Sequence, residues 1–551
     1  MDVKTIKFES APEYKHLESK PVAFFCSEYA LDEDSPVYAG GLGVLAGDFI
    51  LQASQDGVPF VALGLWYGGP LKKGGENKYS KIEEDGVPVV IEVMSGDEVI
   101  KAHIWARRFG KSVYLFLLDS NIDENSIEIK ITSDSLYDSN AGTSMKQKAL
   151  LGIGSVKVLT RLGIKPSIYH LNDGHTAFAG IEIIIRHMAD NGIKDVGETA
   201  ESIKEKIVAT KHTIFSEAGP TISEEDFRAL VGPYCQQNKV SVDDIYKLGE
   251  STYGGNIFST TQFILSCAKR QNGVSVLHTE FEKLTHPNSI LFPITNGVHV
   301  GRWQAKEWQS GLESGKVLMP GEIWKIKRNL RERLTNFVLE KTGVKLDPDA
   351  CTIVWARRFA PYKRPELLFS DLERLKKICS NSANVQFIIS GKAYLSNETS
   401  LGLINKIKAI ILDPVLKNKI VYLDDYSVEV AKELVFGADV WLNTPEYGFE
   451  ASGTSGMKAG LNGAIQLSIS DGWIDEVDWS GKGFILPVEE TGKALYEIIE
   501  NKIVPLFYNR DNKNLPLEWI EYMRKTQETV ESNFTAKRML KDYLTKAYMV
   551  I

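Results

Sequence analysis

CTIVWA (351–356), NVQFIISG (384–391), KIVYLDD (419–425), ADVWLNT (438–444) and AIQLSIS (464–470) are short apolar runs, each followed by a helix-like stretch or a Gly-rich turn. Parallel strands buried on both faces read as continuous apolar runs of this kind. Alternation with helices then argues for an α/β architecture. Working outward, the first half repeats the pattern at VAFFCSE (22–28), VPFVALGLW (58–66), IYHLND (168–173), KIVATKHT (206–213) and ILFPITNGVHV (290–300). VIKAHIWARRFGKSVYLFLLD (99–119) differs, because two strand patterns flank Gly110-Lys111 and predict a β-hairpin. A charged helical stretch from WQAKEWQSG to FVLEKTG separates the halves. We therefore expect two doubly wound, Rossmann-like domains, 1–300 and 301–551, with the hinge just after Val300 and a helical tail, 515–551, able to pack back across it. Ligands of open α/β sheets bind at strand carboxyl ends, so the expected site is a central cleft that both domains face.

A chain of 551 residues exceeds one ordinary core. Its net charge of -8 argues against a nucleic-acid partner, so an anionic substrate would need a local cluster of cations. The five cysteines are scattered without a C-x-x-C, and Cys26 and Cys351 sit in apolar runs as small core residues. The first twenty residues hold no apolar signal core, and no apolar stretch reaches the length of a membrane helix. Cytoplasm is the expected compartment. Two sequons, at Asn397 and Asn533, carry no weight inside a cell.

The densest chemical signal is Glu450-Ala-Ser-Gly-Thr-Ser-Gly-Met-Lys458, directly after the run 438–444. Gly453, Thr454, Ser455 and Gly456 leave backbone uncovered, and a helix opening there would aim N–H groups at an anion. Lys458, about one turn in, would point at the same space, as a pyridoxal phosphate site requires. The plain alternative is a Gly/Ser loop capping a helix with a solvated lysine. Arg357-Arg358-Phe-Ala-Pro-Tyr-Lys363-Arg364 crowds cations at the end of run 351–356, suited to a phosphate dianion or else a charged turn. In Tyr169-His170-Leu-Asn-Asp-Gly-His175, His175 would sit at a helix amino end, able to bond a sugar hydroxyl, while His170 lies inside the strand and reads as structural. Gly40-Gly41-Leu-Gly43 opens a helix after the first strand but fails the dinucleotide fingerprint. No histidine pair has metal-site spacing, and no G-x-S-x-G occurs. WARRF occurs twice, at 105–109 and 355–359, and the first copy is read as structural.

Together these segments resemble the glycogen/starch/maltodextrin phosphorylase family: EASGTSGMK its pyridoxal phosphate segment, R-x-x-x-Y-K-R its phosphate turn, LNDGH its glucose-binding histidine. TNGV (295–298) with Arg302-Trp303, GGLG, and Lys211-His212-Thr at the acceptor-side loop fall in the family's order, and the chain resembles its compact bacterial and archaeal members. The resemblance implies a GT-B glycosyltransferase-like fold and phosphorolysis of α-1,4-glucan or maltodextrin by inorganic phosphate to glucose 1-phosphate, with retention. It implies pyridoxal phosphate held by Lys458 as a Schiff base, its phosphate bound by Thr454, Ser455 and Arg357, with Tyr426 lining the pocket. Arg358, Lys363 and the Gly41 backbone would bind inorganic phosphate. Glu450, Ser452, Gly453, His175 and Asn296 would hold the glucosyl unit. Family members often pair as homodimers. Two departures stand out: Ala360 where long members carry histidine, and Ser427 where they carry arginine.

Two other readings share parts of this pattern. A nucleotide-sugar-dependent glucan synthase would use the cationic turn for a diphosphate but needs no Lys458. A non-catalytic glucan-binding protein would be expected to have lost part of the constellation.

Overall fold

Strands Cys351–Ala356, Val385–Ser390 and Ile465–Ile469 are buried at every residue, as are Phe60–Leu65 and Val113–Asp119. Helices on both faces leave such strands no solvent side. The computed structural model describes residues 1–32, 40–67, 78–136, 140–212, 221–252, 254–287, 289–313, 317–380, 384–393 and 398–550. Tyr38, Ala39, the FSEAGP loop (215–220) and the sequon at Asn397 lie outside the described residues. The protein is a mixed α/β chain with two large, mainly parallel sheets.

Its residues divide into two units. One comprises Met1–Val274, Thr279–Ile294 and Met539–Ile551, and the other Ser275–His278 and Thr295–Arg538. In the first, seven parallel strands run in the order Leu291–Pro293, Arg270–Gly273, Ile207–Thr210, Ile168–Asn172, Val22–Phe25, Phe60–Leu65 and Val113–Asp119. Glu98–Phe109 then pairs antiparallel with Val113–Asp119 through a turn at Gly110, whose φ of 53° suits glycine. That hairpin contains the first WARRF. Its Arg107 pairs with Asp32 at 2.5 Å and its Trp105 stacks on Trp66. The carboxyl-terminal segment belongs to this unit's core. His170 is 1% exposed and sits 2.7 Å from both Tyr548 Oη and Thr210 Oγ1, and burial, with His212 nearby, drives its pKa well below the ordinary value.

In the second unit six parallel strands run Ile420–Leu423, Val385–Ser390, Cys351–Ala356, Val440–Asn443, Ile465–Ile469 and Gly483–Leu486. The charged stretch after residue 300 folds as helices Lys306–Glu313 and Pro320–Thr342, the latter ending at Gly343 in the left-handed region. Within it Arg331 forms a buried ion pair with Asp439 at 2.7 Å. No helix among the described residues is long and apolar enough to cross a membrane.

Candidate active site

Strand Cys351–Ala356 delivers Arg357 and Arg358 at its carboxyl end, and a one-turn helix Pro361–Lys363 turns the chain back. Arg364 completes the turn at φ 46°, donating to the Thr444 and Pro445 carbonyls at 3.0 and 2.8 Å. This lashes the cationic turn to the end of the neighbouring strand Val440–Asn443. Close approach is essential, since a Cβ on Gly391 would lie 2.0 Å from the Arg357 carbonyl oxygen.

Here the structure joins three of the sequence-predicted residues directly. Glu450 Oε2 accepts from Arg357 Nη2 and from Lys363 Nζ, the latter at 2.6 Å, while Arg357 Nη1 donates to Asn443. All three charged groups are buried. Burial alone would raise the Glu450 pKa, yet the two cations hold it down to about 2. Burial lowers the Lys363 pKa, as does Arg357, and Glu450 opposes them. The Glu450 backbone is fixed from behind, because Asp471 Oδ2 accepts from the N–H groups of Gly448, Phe449 and Glu450 at 2.9, 3.2 and 3.1 Å. Burial pushes the Asp471 pKa up to about 7 despite those donors. Arg358 lies half-buried, with Nη2 3.3 Å from Tyr362 Oη. Arg357 and Lys363 share the single carboxylate of Glu450, so this trio carries a net positive charge.

Gly453 takes φ 88° and starts the helix Thr454–Gly460, which has no side-chain cap. Met457-Lys-Ala-Gly460 continues the helix, and Leu461-Asn-Gly-Ala464 lies beyond it. The chain leaves the helix after Gly460 and reaches φ 74° at Gly463. Lys458 is buried in it, Nζ 4.3 Å from the centre of the Trp303 ring. Asn462 Nδ2 donates to the carbonyls of both Trp303 and Lys458 and so ties the two segments together. Among the described residues, several buried polar atoms have no hydrogen-bond partner: Ser452 Oγ, Asn296 Oδ1 and Arg357 Nε. The Asn296 backbone is held by Arg538 at 2.9 Å. Such atoms are costly to bury unless a ligand satisfies them. Tyr426 is half-buried. Ser427 caps the helix Val428–Gly437, its Oγ accepting from the Val430 N–H at 3.2 Å.

Gly41 and His175 lie in the first unit. Gly41 opens the helix Gly41–Gln55 with space for a Cβ above it, and Gly40 N–H donates to Glu28 at 3.2 Å. His175 sits in a short turn, Gly174–Thr176, before the helix Phe178–Asn191, with Nδ1 3.7 Å from Asp173 Oδ2. Asp173 adopts φ 77°, a conformation side chains rarely tolerate and one that concentrates at functional sites. Burial opposes its charge, but His175, His212 and the Gly174 N–H hold its pKa at about 2. His212 is a residue that sequence reasoning set apart at an acceptor-side loop. Its Nε2 lies 2.7 Å from Asn172 Oδ1, beside Asp173 on the neighbouring strand end. Strand adjacency between residues 172 and 210 brings the two together, and no local pattern signals it. Lys211, from the same loop motif, is instead buried in an ion pair with Glu282, its Nζ 3.0 Å from His286.

Buried cations sharing one carboxylate, a lysine behind a Gly-Thr-Ser loop, and a histidine–carboxylate pair define an α/β protein equipped to hold anionic and polyhydroxyl groups. A family model of carbohydrate phosphorylases matches residues 316–541. Over 96% of its length the chain is 32% identical to a maltodextrin phosphorylase of Thermococcus litoralis, covering 70% of that protein. It is 30% identical to glycogen phosphorylases of Mycobacterium tuberculosis and Aquifex aeolicus, covering 70% and 87% of them. The chain belongs to the carbohydrate phosphorylase family.

Proposed function

We propose that this protein is an α-glucan phosphorylase, a hexosyltransferase of GT-B type that releases glucose 1-phosphate from the non-reducing ends of α-1,4-glucan or maltodextrin. The observation that carries the reading is the joint use of Glu450 by Arg357 and Lys363 in a family whose named members are glycogen and maltodextrin phosphorylases.

Pyridoxal phosphate fits the residues present. Lys458 is buried against Trp303, Thr454 and Ser455 open an uncapped helix, and Arg357 keeps Nε without a partner. We assign the cofactor's holding to Lys458, its phosphate to Thr454, Ser455 and Arg357, and a pocket wall to Tyr426. When bound, it would supply a phosphate group able to exchange a proton beside the substrate phosphate. Arg358, Lys363 and the Gly41 backbone would position inorganic phosphate. Two unit charges about 4 Å apart interact by about 4 kcal/mol at an effective dielectric of 20, so neighbouring phosphates need such cations.

Glu450, Ser452, Gly453, Asn296 and His175 would bind sugar hydroxyls, Ser452 Oγ and Asn296 Oδ1 gaining the partners they lack. In the reaction the C1–O4 bond of the terminal glucosyl unit breaks. A phosphate oxygen bonds to C1 with retention, and a phosphate proton passes to the departing O4. The first unit would serve the glucan and the second the cofactor. Five buried, free cysteines favour a reducing compartment, in keeping with cytoplasm, and we propose a homodimer by family analogy.

The test is the absorption spectrum of the purified protein, borohydride reduction with peptide mapping, and phosphate-dependent release of glucose 1-phosphate from maltodextrin. A pyridoxyl group on Lys458 together with phosphorolysis supports the reading. A protein that stays colourless when given the cofactor, and elongates glucan only with a sugar nucleotide, overturns it in favour of a synthase. Glucan binding with neither reaction points to a binding protein.

A further inference from the structure

In the second unit the parallel strands Val440–Asn443 and Ile465–Ile469 are neighbours, with Asn443 opposite Ser468 and Asn443 Nδ2 donating to Ser468 Oγ at 3.0 Å. Segment 444–453 follows one strand and Ser470-Asp471-Gly472-Trp473 follows the other. Asp471 is 1% exposed. Its Oδ2 accepts from the N–H groups of three successive residues, Gly448, Phe449 and Glu450, and its Oδ1 from the Gly472 N–H at 2.8 Å. Successive N–H groups converge on one anion where the backbone leaves a regular conformation, and Gly448 supplies that departure at φ 84°.

The two segments stay in contact beyond the carboxylate. The Trp473 N–H donates to the Ser452 carbonyl at 3.0 Å. Between these ties Gly472 takes φ 57°, and a Cβ on it would lie 2.4 Å from the Ser452 carbonyl oxygen and 3.0 Å from that of Glu450. The buried Trp473 ring lies 3.4 Å from where a Gly453 Cβ would stand and 3.3 Å from that of Gly456. Segment 448–453 is therefore gripped through its backbone, while Ser452 Oγ keeps no partner among the described residues. Capping the one-turn helix Gly472–Glu476 would need only the Gly472 N–H. The three N–H groups on Oδ2 belong to the other segment and serve its placement. A side chain that fixes a binding group in this way preserves affinity without touching the ligand.

We propose that Asp471 is a positioning residue for the sugar site: by holding the N–H groups of residues 448–450 it sets where the Glu450 and Ser452 side chains stand, with Gly472 and Trp473 fixing the Ser452 end. The ligand in this assignment rests on the glucan phosphorylase reading, and the holding on the hydrogen bonds alone.

The experiment compares the full-length wild-type holoprotein with Asp471→Asn and Asp471→Ala at about pH 8, above the Asp471 pKa of about 7. Asn keeps an acceptor oxygen for the three N–H groups, and Ala keeps none. Hydrogen exchange of the peptide spanning 446–453 reads the holding. Isothermal titration with glucose, and KM and kcat for maltodextrin, read the sugar site, while absorbance reads cofactor content. In Asp471→Ala we expect exchange in that peptide to rise, glucose affinity to fall and KM to rise, each by about tenfold or more. Asp471→Asn should show the same changes at about threefold, because a neutral acceptor forms weaker bonds than a carboxylate. Cofactor content should stay near that of wild type. Unchanged exchange in both variants overturns the proposal. So does faster exchange with glucose affinity and KM at wild-type values, which would make Asp471 a purely structural group. Should Asp471→Ala fail to fold, Asp471→Asn decides by the same measures. A wild type that neither binds glucose nor releases glucose 1-phosphate sinks the functional reading instead, and the exchange comparison still decides whether Asp471 holds the segment.

Discussion

Lys363 places its ammonium 2.6 Å from Glu450 Oε2, the same oxygen that receives Arg357, although 87 residues separate lysine from carboxylate. Two buried cations on one carboxylate hold all three side chains in a single arrangement. The trio carries a net positive charge.

Glu450→Gln keeps the shape and removes the charge, so Arg357 and Lys363 face a neutral amide. We expect kcat/KM for maltodextrin phosphorolysis to fall by about two orders of magnitude, in the range found when one partner of a buried charge pair is removed. Initial rates of glucose 1-phosphate release measure this. An unchanged rate would exclude Glu450 from the reaction.

Asp173 carries an acid-stability signature. Its folded pKa is about 2, below the ordinary 3.8, so its stabilising contribution is complete above about pH 4 and is lost as pH falls through 2. The shift corresponds to about 2 kcal/mol. Asp173→Asn keeps the size and shape of the side chain and removes its charge, and both residues carry the same unusual backbone, so the comparison isolates the charge. The gap between the Tm values of wild type and variant should close between pH 4 and pH 2. A gap constant across that range would contradict the assignment.

Gly391→Ala would drive a methyl group to 2.0 Å from the Arg357 carbonyl oxygen and 2.8 Å from the Phe359 ring. Backbone on one side and a packed ring on the other cannot yield cheaply. The expected outcome is a loss of about 2 kcal/mol or more in stability, with a fall in activity because Arg357 moves. Urea unfolding and phosphorolysis rates report the two effects separately.

Ser427→Ala removes the cap of the helix Val428–Gly437. A loss of about 1 kcal/mol is expected. Cofactor content, read from the absorption spectrum, should stay near that of wild type, because the Ser427 side chain is committed to the Val430 N–H. A large loss of cofactor at unchanged stability would give Ser427 a direct part in binding.

Much of this was legible in one dimension. The apolar runs at 351–356, 384–391 and 464–470 fold as the buried parallel strands they spell, because a strand covered on both faces is apolar along nearly its whole length rather than at alternate positions. Gly110 marked the hairpin for a local reason, the left-handed backbone it adopts. Segment 450–458 was likewise readable, since the loop glycines and the lysine one turn later are fixed by spacing along a single helix. The end of that helix, at Gly460, was not marked in the sequence.

Tertiary structure alone decided which charges meet. Glu450 finds Arg357 and Lys363, His212 finds Asn172, and His170 finds Tyr548 across 378 residues, through strand order and through a tail packed on the first unit's core. It also sealed Lys211 against Glu282, a pairing between residues 71 positions apart that no local pattern announces. The physical reason is one of range. Periodicity and backbone preference act over a few residues and are written in the chain, whereas burial and Coulomb pairing act between neighbours in space that only folding creates.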